Sequence, residues 1–284
     1  MTTITSQTPS TAEPNTGYWD ARRGRIRSTR GGWLMGEDVL FSGRSLLHDI
    51  LGKAGYFQVL VLNVTGRMPE RRFTDWLETA FICVGWPDAR LWCNQIGTWG
   101  GQARTSPVAA ACAGILASDS RLYGPGTALR AAAFINEALE AHEAGKSAAD
   151  IVEGRCRRGR VRESFPGYAR PLVRGDERVR AMERLARALG YGIGPRLRLA
   201  YAIQDVLEAR WGEALNLAGY MAAFMADQGY TAEEGYRITS LLVSGGVHAC
   251  YAEAADQPAE SFLPLRCEDI EYTGKSEREV PEDE

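Results

Sequence analysis

The chain has 284 residues, 45% of them hydrophobic and 24% charged, with a formal net charge of −3. That length can bury a substantial core, and the composition is that of a globular protein. The slight acidic balance argues against a broad nucleic-acid-binding surface, and no apolar run approaches the roughly 20 residues that span a bilayer.

In chain order, Met1 to Asn15 is rich in Ser, Thr and Pro, with neither a basic nor an apolar signal region, so 1–16 reads as a disordered leader. Short extended pieces are expected near Arg25 to Leu34. Ser45 to Leu51 predicts a short helix, and Tyr56 to Asn63 a compact apolar one stopping at Thr65-Gly66. Pro69 opens the next, carried towards Gly85 by Phe73, Trp76, Leu77 and Ala80. Ala109 to Ala117 is apolar on nearly all sides and predicts a helix deep in the core. Thr127 to Gly145 follows, then an arginine-rich connection. Glu177 to Leu189 then carries Val179, Met182, Leu185, Ala186 and Leu189 on one stripe. Further helices are predicted from Pro195 to about Trp211 and from Glu213 to Asp227, the latter ending at Gly229. Thr231 and Glu234 form a capping box opening a last long helix to about Ala255. The fold class is all-α. Cys83, Cys93, Cys112, Cys156, Cys250 and Cys267 form no C-x-x-C pair, which fits free thiols, a cytoplasmic setting and no metal site.

A series of motifs runs in order along the chain. Leu60 to Pro69 ends a helix in Val64-Thr65-Gly66-Arg67-Met68-Pro69, and Gly124-Pro125-Gly126-Thr127-Ala128 opens a long one. Phe165-Pro166-Gly167-Tyr168-Ala169-Arg170-Pro171-Leu172 is followed by Gly175-Asp176-Glu177-Arg178. Asn216-Leu217-Ala218, Gly246 to Glu253 and Glu271-Tyr272-Thr273-Gly274 complete the set. Together they resemble the citrate synthase family, whose corresponding motifs read L-L-x-G-E-L-P, G-P-L-H-G, P-G-[FY]-G-H-P then D-P-R, N-V-D, G-W-x-A-H-x-x-E and Y-x-G. The resemblance covers about Gly24 to Gly274. It implies a large helical domain at 17–128 and 218–275, a small helical domain inserted at 129–217, and an acidic tail at 276–284. It also implies a dimer, with itself or a homologue, and a coenzyme A (CoA) thioester as substrate alongside an oxo or carboxylic acid. Neither nucleic acid nor membrane is expected as a partner.

The family's chemistry needs a donor on the thioester carbonyl, a carboxylate base and a group that protonates the oxo acid. Those positions read Thr127, Ala218 and Arg170 here. A threonine hydroxyl still donates, but an alanine is no base, so ordinary citrate synthesis is not expected. Arg178 matches the carboxylate-binding arginine of the family, or else is a surface residue at a helix start. Arg170 grips a ligand carboxylate or pairs with an acidic neighbour. Arg155, Arg157, Arg158, Arg160 and Arg162, then Arg174, surround Pro166-Gly167-Tyr168, which the resemblance places near the adenine of CoA. Arginine's planar fork suits CoA phosphates, making Arg158, Arg160, Arg162, Pro166, Gly167, Tyr168 and Arg174 candidate cofactor residues; a solvated basic loop is the plain alternative. His248 reads as a satisfied core histidine and Glu213 as a helix-start acid or a displaced base. Two functions follow: a remodelled enzyme that makes or breaks a C–C bond through Thr127, Arg170 and Arg178, or a non-catalytic CoA-binding regulator or partner subunit.

Overall fold

A computed structural model describes residues 16–120, 123–156, 165–170, 174–259, 261 and 266–279. It divides into two compact units, Met1–Ala54 and Gly55–Glu284.

The first unit opens with a helical turn, α1 (Gly17–Asp20), and holds a three-stranded antiparallel sheet. β1 (Gly31–Leu34), β2 (Asp38–Phe41) and β3 (Arg44–Ser45) lie in that order, with Trp33 opposite Val39. Extended structure thus begins at Gly31, six residues later than Arg25, and reaches further along the chain than predicted. The short helix expected at Ser45 to Leu51 is present as a single π-turn, Leu46–Ile50, capped by the Ser45 hydroxyl. Ile50 is the sole buried residue described in this unit, so the sheet has little core of its own.

The second unit is helical: α2 (Tyr56–Thr65), α3 (Arg71–Val84), α4 (Trp92–Gln102), α5 (Pro107–Ser118), α6 (Pro125–Glu143), α7 (Ala148–Cys156), α8 (Glu177–Ala188), α9 (Pro195–Trp211), α10 (Leu217–Asp227), α11 (Ala232–Thr239) and α12 (Ser244–Asp256). Its centre is α10, from which Tyr220, Met221, Ala223, Phe224 and Met225 all enter the core. Trp76 of α3 stacks on Phe224 with ring centroids 4.1 Å apart, and Met182, Ile203, Phe134 and Val152 close round them from α8, α9, α6 and α7. Burying side chains of this size contributes about 1.5–3 kcal/mol each.

Several expectations need correction. α3 starts at Arg71 with Glu70 as N-cap, leaving Pro69 outside. α4 and α7 are absent from the predicted elements; three glycines, Gly97, Gly100 and Gly101, hide the first, and α7 occupies the front of the arginine-rich connection. α10 begins at Leu217 because Asn216 caps it, so Glu213 lies before the helix. The long helix after Thr231 breaks into α11 and α12, where Leu242 and Val243 turn into the core. α5 is not deeply buried: Ala110, Ala111, Gly114 and Ser118 face inward, while Val108 and Leu116 are 69% and 77% exposed.

α4, α5 and α12 form a tightly apposed group. A Cβ on Gly97 or Gly101 would stand 2.5 Å from the Val247 or Tyr251 carbonyl oxygen of α12, a separation that side chains do not permit. Among the described residues, no helix is long and apolar enough to cross a membrane.

Candidate functional site

The sequence motifs converge where two helices begin. The chain from Gly167 to Ala169 pairs with Ala214 to Asn216: Ala169 N donates to Ala214 O at 3.0 Å and Asn216 N to Gly167 O at 2.9 Å. Asn216 Nδ2 adds a bond to Ala169 O at 2.8 Å, while its Oδ1 accepts from Gly219 N at 3.0 Å and caps α10. Gly167 (φ +90°) and Gly219 meet backbone to backbone. A Cβ on Gly219 would lie 2.2 Å from Gly167 O, and one on Gly167 would lie 2.7 Å from Gly219 Cα. The freedom of Gly167 therefore serves this internal contact. Tyr168 points into the core, where its hydroxyl donates to Ala200 O at 2.9 Å and burial raises its pKa.

This pairing carries Arg170 to the start of α8, where Asp176 is the hub. Its carboxylate accepts Arg178 Nε at 2.8 Å and Arg178 N at 3.2 Å on Oδ1, and Arg178 Nη2 at 2.7 Å and Leu217 N at 2.9 Å on Oδ2. One fully enclosed carboxylate thus caps α8, anchors the first N–H of α10 and binds Arg178 bidentately. Burial by itself would raise its pKa, but the Arg178 hydrogen bonds and charge outweigh that and hold the carboxyl below its ordinary value. Arg170 Nη1 stands 3.6 Å from Asp176 Oδ1 and 2.6 Å from Glu177 Oε2, so it pairs with acidic neighbours. Ala218, next to Leu217, presents only a methyl group.

Thr127 lies in the first turn of α6 and donates its hydroxyl proton to Gly124 O at 2.7 Å. Arg174 is exposed beside Gly212. Arg158, Arg160 and Arg162 lie outside the described residues. His248 is exposed on α12, correcting the core assignment, and its Nδ1 lies 2.8 Å from Ser244 O.

Beside Arg178 a cleft of about 240 Å³ is lined by Ile82, Cys83, Trp86, Glu177 and Arg178. Arg178 Nη1 also donates to Cys83 O at 3.4 Å, and burial pushes the Cys83 thiol up. The volume falls below the ~300–1,000 Å³ of drug-sized pockets and suits a small acid. Tyr123 is half-buried against Trp92, its phenol pushed up to about 12 by burial, against the opposing charges of Arg178 and Arg170. Cys83 and Tyr123 had no assigned site role in the sequence, and Asp176 entered only within the Gly175-Asp176-Glu177-Arg178 motif, where an Asp directly before a helix start was its legible signal. Among the described residues no three His, Cys, Asp or Glu side chains are placed to hold a metal ion.

No protein-family profile matches the chain, and no curated protein matches its sequence. Solved structures do match its fold. Citryl-CoA lyase from Hydrogenobacter thermophilus superposes with a TM-score of 0.77 at 22% identity, over 90% of this chain and 97% of that one. ATP citrate lyase from Methanothrix soehngenii, solved with citrate and coenzyme A, gives 0.75 at 18% identity, over 98% of this chain and 47% of that one. Citrate synthase from Thermotoga maritima gives 0.61 at 15% identity, over 80% and 60%. The chain has an all-α, citrate synthase-like fold.

Proposed function

We propose that this protein binds a CoA thioester and a carboxylic acid on a citrate synthase-like frame and abstracts no proton, acting as a CoA-binding regulator or as the partner subunit of an active homologue. The observation that carries this reading is the closed charge circuit at Asp176. The carboxylate that accepts the N–H of Leu217, the residue before Ala218, is held ionised by four hydrogen bonds, two of them from Arg178 side-chain nitrogens. A carboxylate stabilised in this way is a poor base, and loss of a positioned base removes ~10²–10⁴-fold of rate. Thr127, with its proton already given to Gly124 O, is no better as an electrophile.

Binding is supported by the ligands named for the structural neighbours, CoA and citrate. In this reading Arg158, Arg160, Arg162 and Arg174 meet the CoA phosphates, and the backbone of the Pro166-Gly167 turn lies towards the adenine, with Tyr168 anchoring that turn from the core. Arg178 and Arg170 receive the acid. Residues 129–217 form the inserted small domain, with the cleft on its border: Ile82, Cys83 and Trp86 come from one side, Glu177 and Arg178 from the other. The exposed apolar face of Trp92, Trp99, Val108 and Leu116 on α4 and α5 supports assembly as a dimer.

A second reading, cleavage or formation of a C–C bond by remodelled chemistry, is supported by the cleft beside Arg178 and by two neighbours that are lyases. One experiment separates them: melting curves with CoA, then incubation with citryl-CoA. At a hundredfold excess over Kd, binding stabilises by about 2.7 kcal/mol. Stabilisation by CoA with citryl-CoA left intact is the expected result. Consumption of citryl-CoA selects the second reading, and no stabilisation by either ligand overturns both.

A further inference from the structure

The cleft beside Arg178 joins two kinds of side chain. Glu177 and Arg178 come from the start of α8, while Ile82 and Cys83 come from the last turn of α3 and Trp86 from just past it. Ile82 and Trp86 are 68% and 41% exposed, so the apolar lining is open to a ligand. Trp86 is no loose surface ring, because its backbone is clamped. Its carbonyl oxygen accepts from the buried Asn94 Nδ2 at 3.2 Å and from Asp88 N at 3.0 Å. A Cβ on Gly246 would stand 2.6 Å from that same oxygen, so α12 presses directly on it. A two-torsion indole on a fixed backbone loses little freedom when an apolar group lies against it.

The polar groups left in the cleft match one carboxylate. Of the five N–H groups of a guanidinium, Arg178 gives its Nε proton and one Nη2 proton to Asp176, and one Nη1 proton to Cys83 O. Among the described residues, one N–H therefore remains on each Nη nitrogen, an adjacent pair that suits the two oxygens of a single carboxylate. The charges agree with that count. Arg178 and Arg170 are already balanced by Asp176 and Glu177. No further cation lines the cleft among the described residues, so a second or third carboxylate would enter beside Glu177 without a partner.

We infer that the acid taken by this cleft is a monocarboxylate with an apolar body. Its carboxylate meets the two remaining N–H groups of Arg178, and its body lies along Trp86 and Ile82. This rests on the acid-binding role proposed above for Arg178, and it departs from the citrate named for a structural neighbour.

Calorimetry on the full chain tests this with phenylacetate, oxaloacetate and citrate, each titrated with and without saturating CoA. Phenylacetate should bind at least about tenfold more tightly than the other two, the effect of burying roughly two methylene equivalents. Trp86→Ala should abolish that preference and Trp86→Phe should keep it. Ile82→Glu, at an exposed position that the fold tolerates, should weaken phenylacetate as well. Glu177→Gln should tighten citrate more than phenylacetate, because the repulsion it removes grows with ligand charge. Oxaloacetate or citrate binding as tightly as phenylacetate, or a preference untouched by Trp86→Ala and Ile82→Glu, would overturn the inference. Absence of acid binding in a protein that binds CoA would also overturn it while leaving CoA in the proposed function. Phenylacetate binding in a protein that ignores CoA would uphold it and remove CoA instead.

Discussion

Replacing Asp176 by Asn tests the hub directly. The carboxylate is fully enclosed, and its partner Arg178 keeps 24% of its side chain exposed. Asparagine retains the shape and, with its oxygen in the Oδ1 position, the cap of α8. It sets an amide N–H against the Arg178 Nη2 and Leu217 N donors, so the change removes the charge and the two bonds at Oδ2 together. Removing one partner of a buried pair costs about 3–5 kcal/mol, and the partial exposure of Arg178 sets the expectation at the low end, ~3 kcal/mol. At ~2–4 °C per kcal/mol for a chain of this size, Tm should fall by roughly 6–12 °C at neutral pH. The pH dependence supplies the sign. Asp176 titrates below its ordinary value of 3.8 when folded, so the stability it contributes is present above 3.8 and is lost as pH falls through the folded value. Urea titrations of wild type and Asp176→Asn should therefore differ at pH 7 and converge in strong acid. A Tm change under about 2 °C, or a difference that persists unchanged into acid, would refute the account of Asp176 as the ionised hub.

Acetyl-CoA and oxaloacetate should yield no citrate in a coupled spectrophotometric assay, and turnover within about a hundredfold of an ordinary citrate synthase would show that Ala218 is not the base position. Ala218→Asp should not restore activity, because Arg170 would pair with the new carboxylate and keep it ionised and weakly basic. Gly219→Ala should destabilise by about 1–3 kcal/mol in urea, since the new Cβ would stand 2.2 Å from Gly167 O; a neutral change would mean that the loop yields. Light scattering should report a dimer at micromolar concentration, and Leu116→Glu, on the exposed face of α5, should shift it towards monomer; a wild-type monomer with no homologous partner in extract would count against the assembly.

Local chemistry made much of the helical frame legible. Pro195 at the head of α9, the Thr231–Glu234 capping box and the apolar stripe of α8 each act within one or two turns, so a single sequence window contains the whole signal. The order of motifs from Gly66 to Gly246 pointed to the fold for a related reason: glycines and caps punctuate the helices at spacings that the fold requires. α4 was hidden because Gly97, Gly100 and Gly101 each cost about 1 kcal/mol in an isolated helix. Its stability comes from α12, some 150 residues later, pressed against the bare backbone at Gly97 and Gly101, and from Ala110 of α5 against Gly100.

The candidate site divides along the same line. The sequence by itself determined which groups were available: arginines at 170 and 178, a methyl at 218, a hydroxyl at 127. Only the tertiary structure decided what each is bound to. Arg178 could have served a ligand or the surface; it is claimed by Asp176, whose second oxygen is fixed by an N–H 41 residues away at Leu217. Residue identity carries a group's charge and donors, but the partner of a buried charge is set by which distant segments packing brings within hydrogen-bond reach.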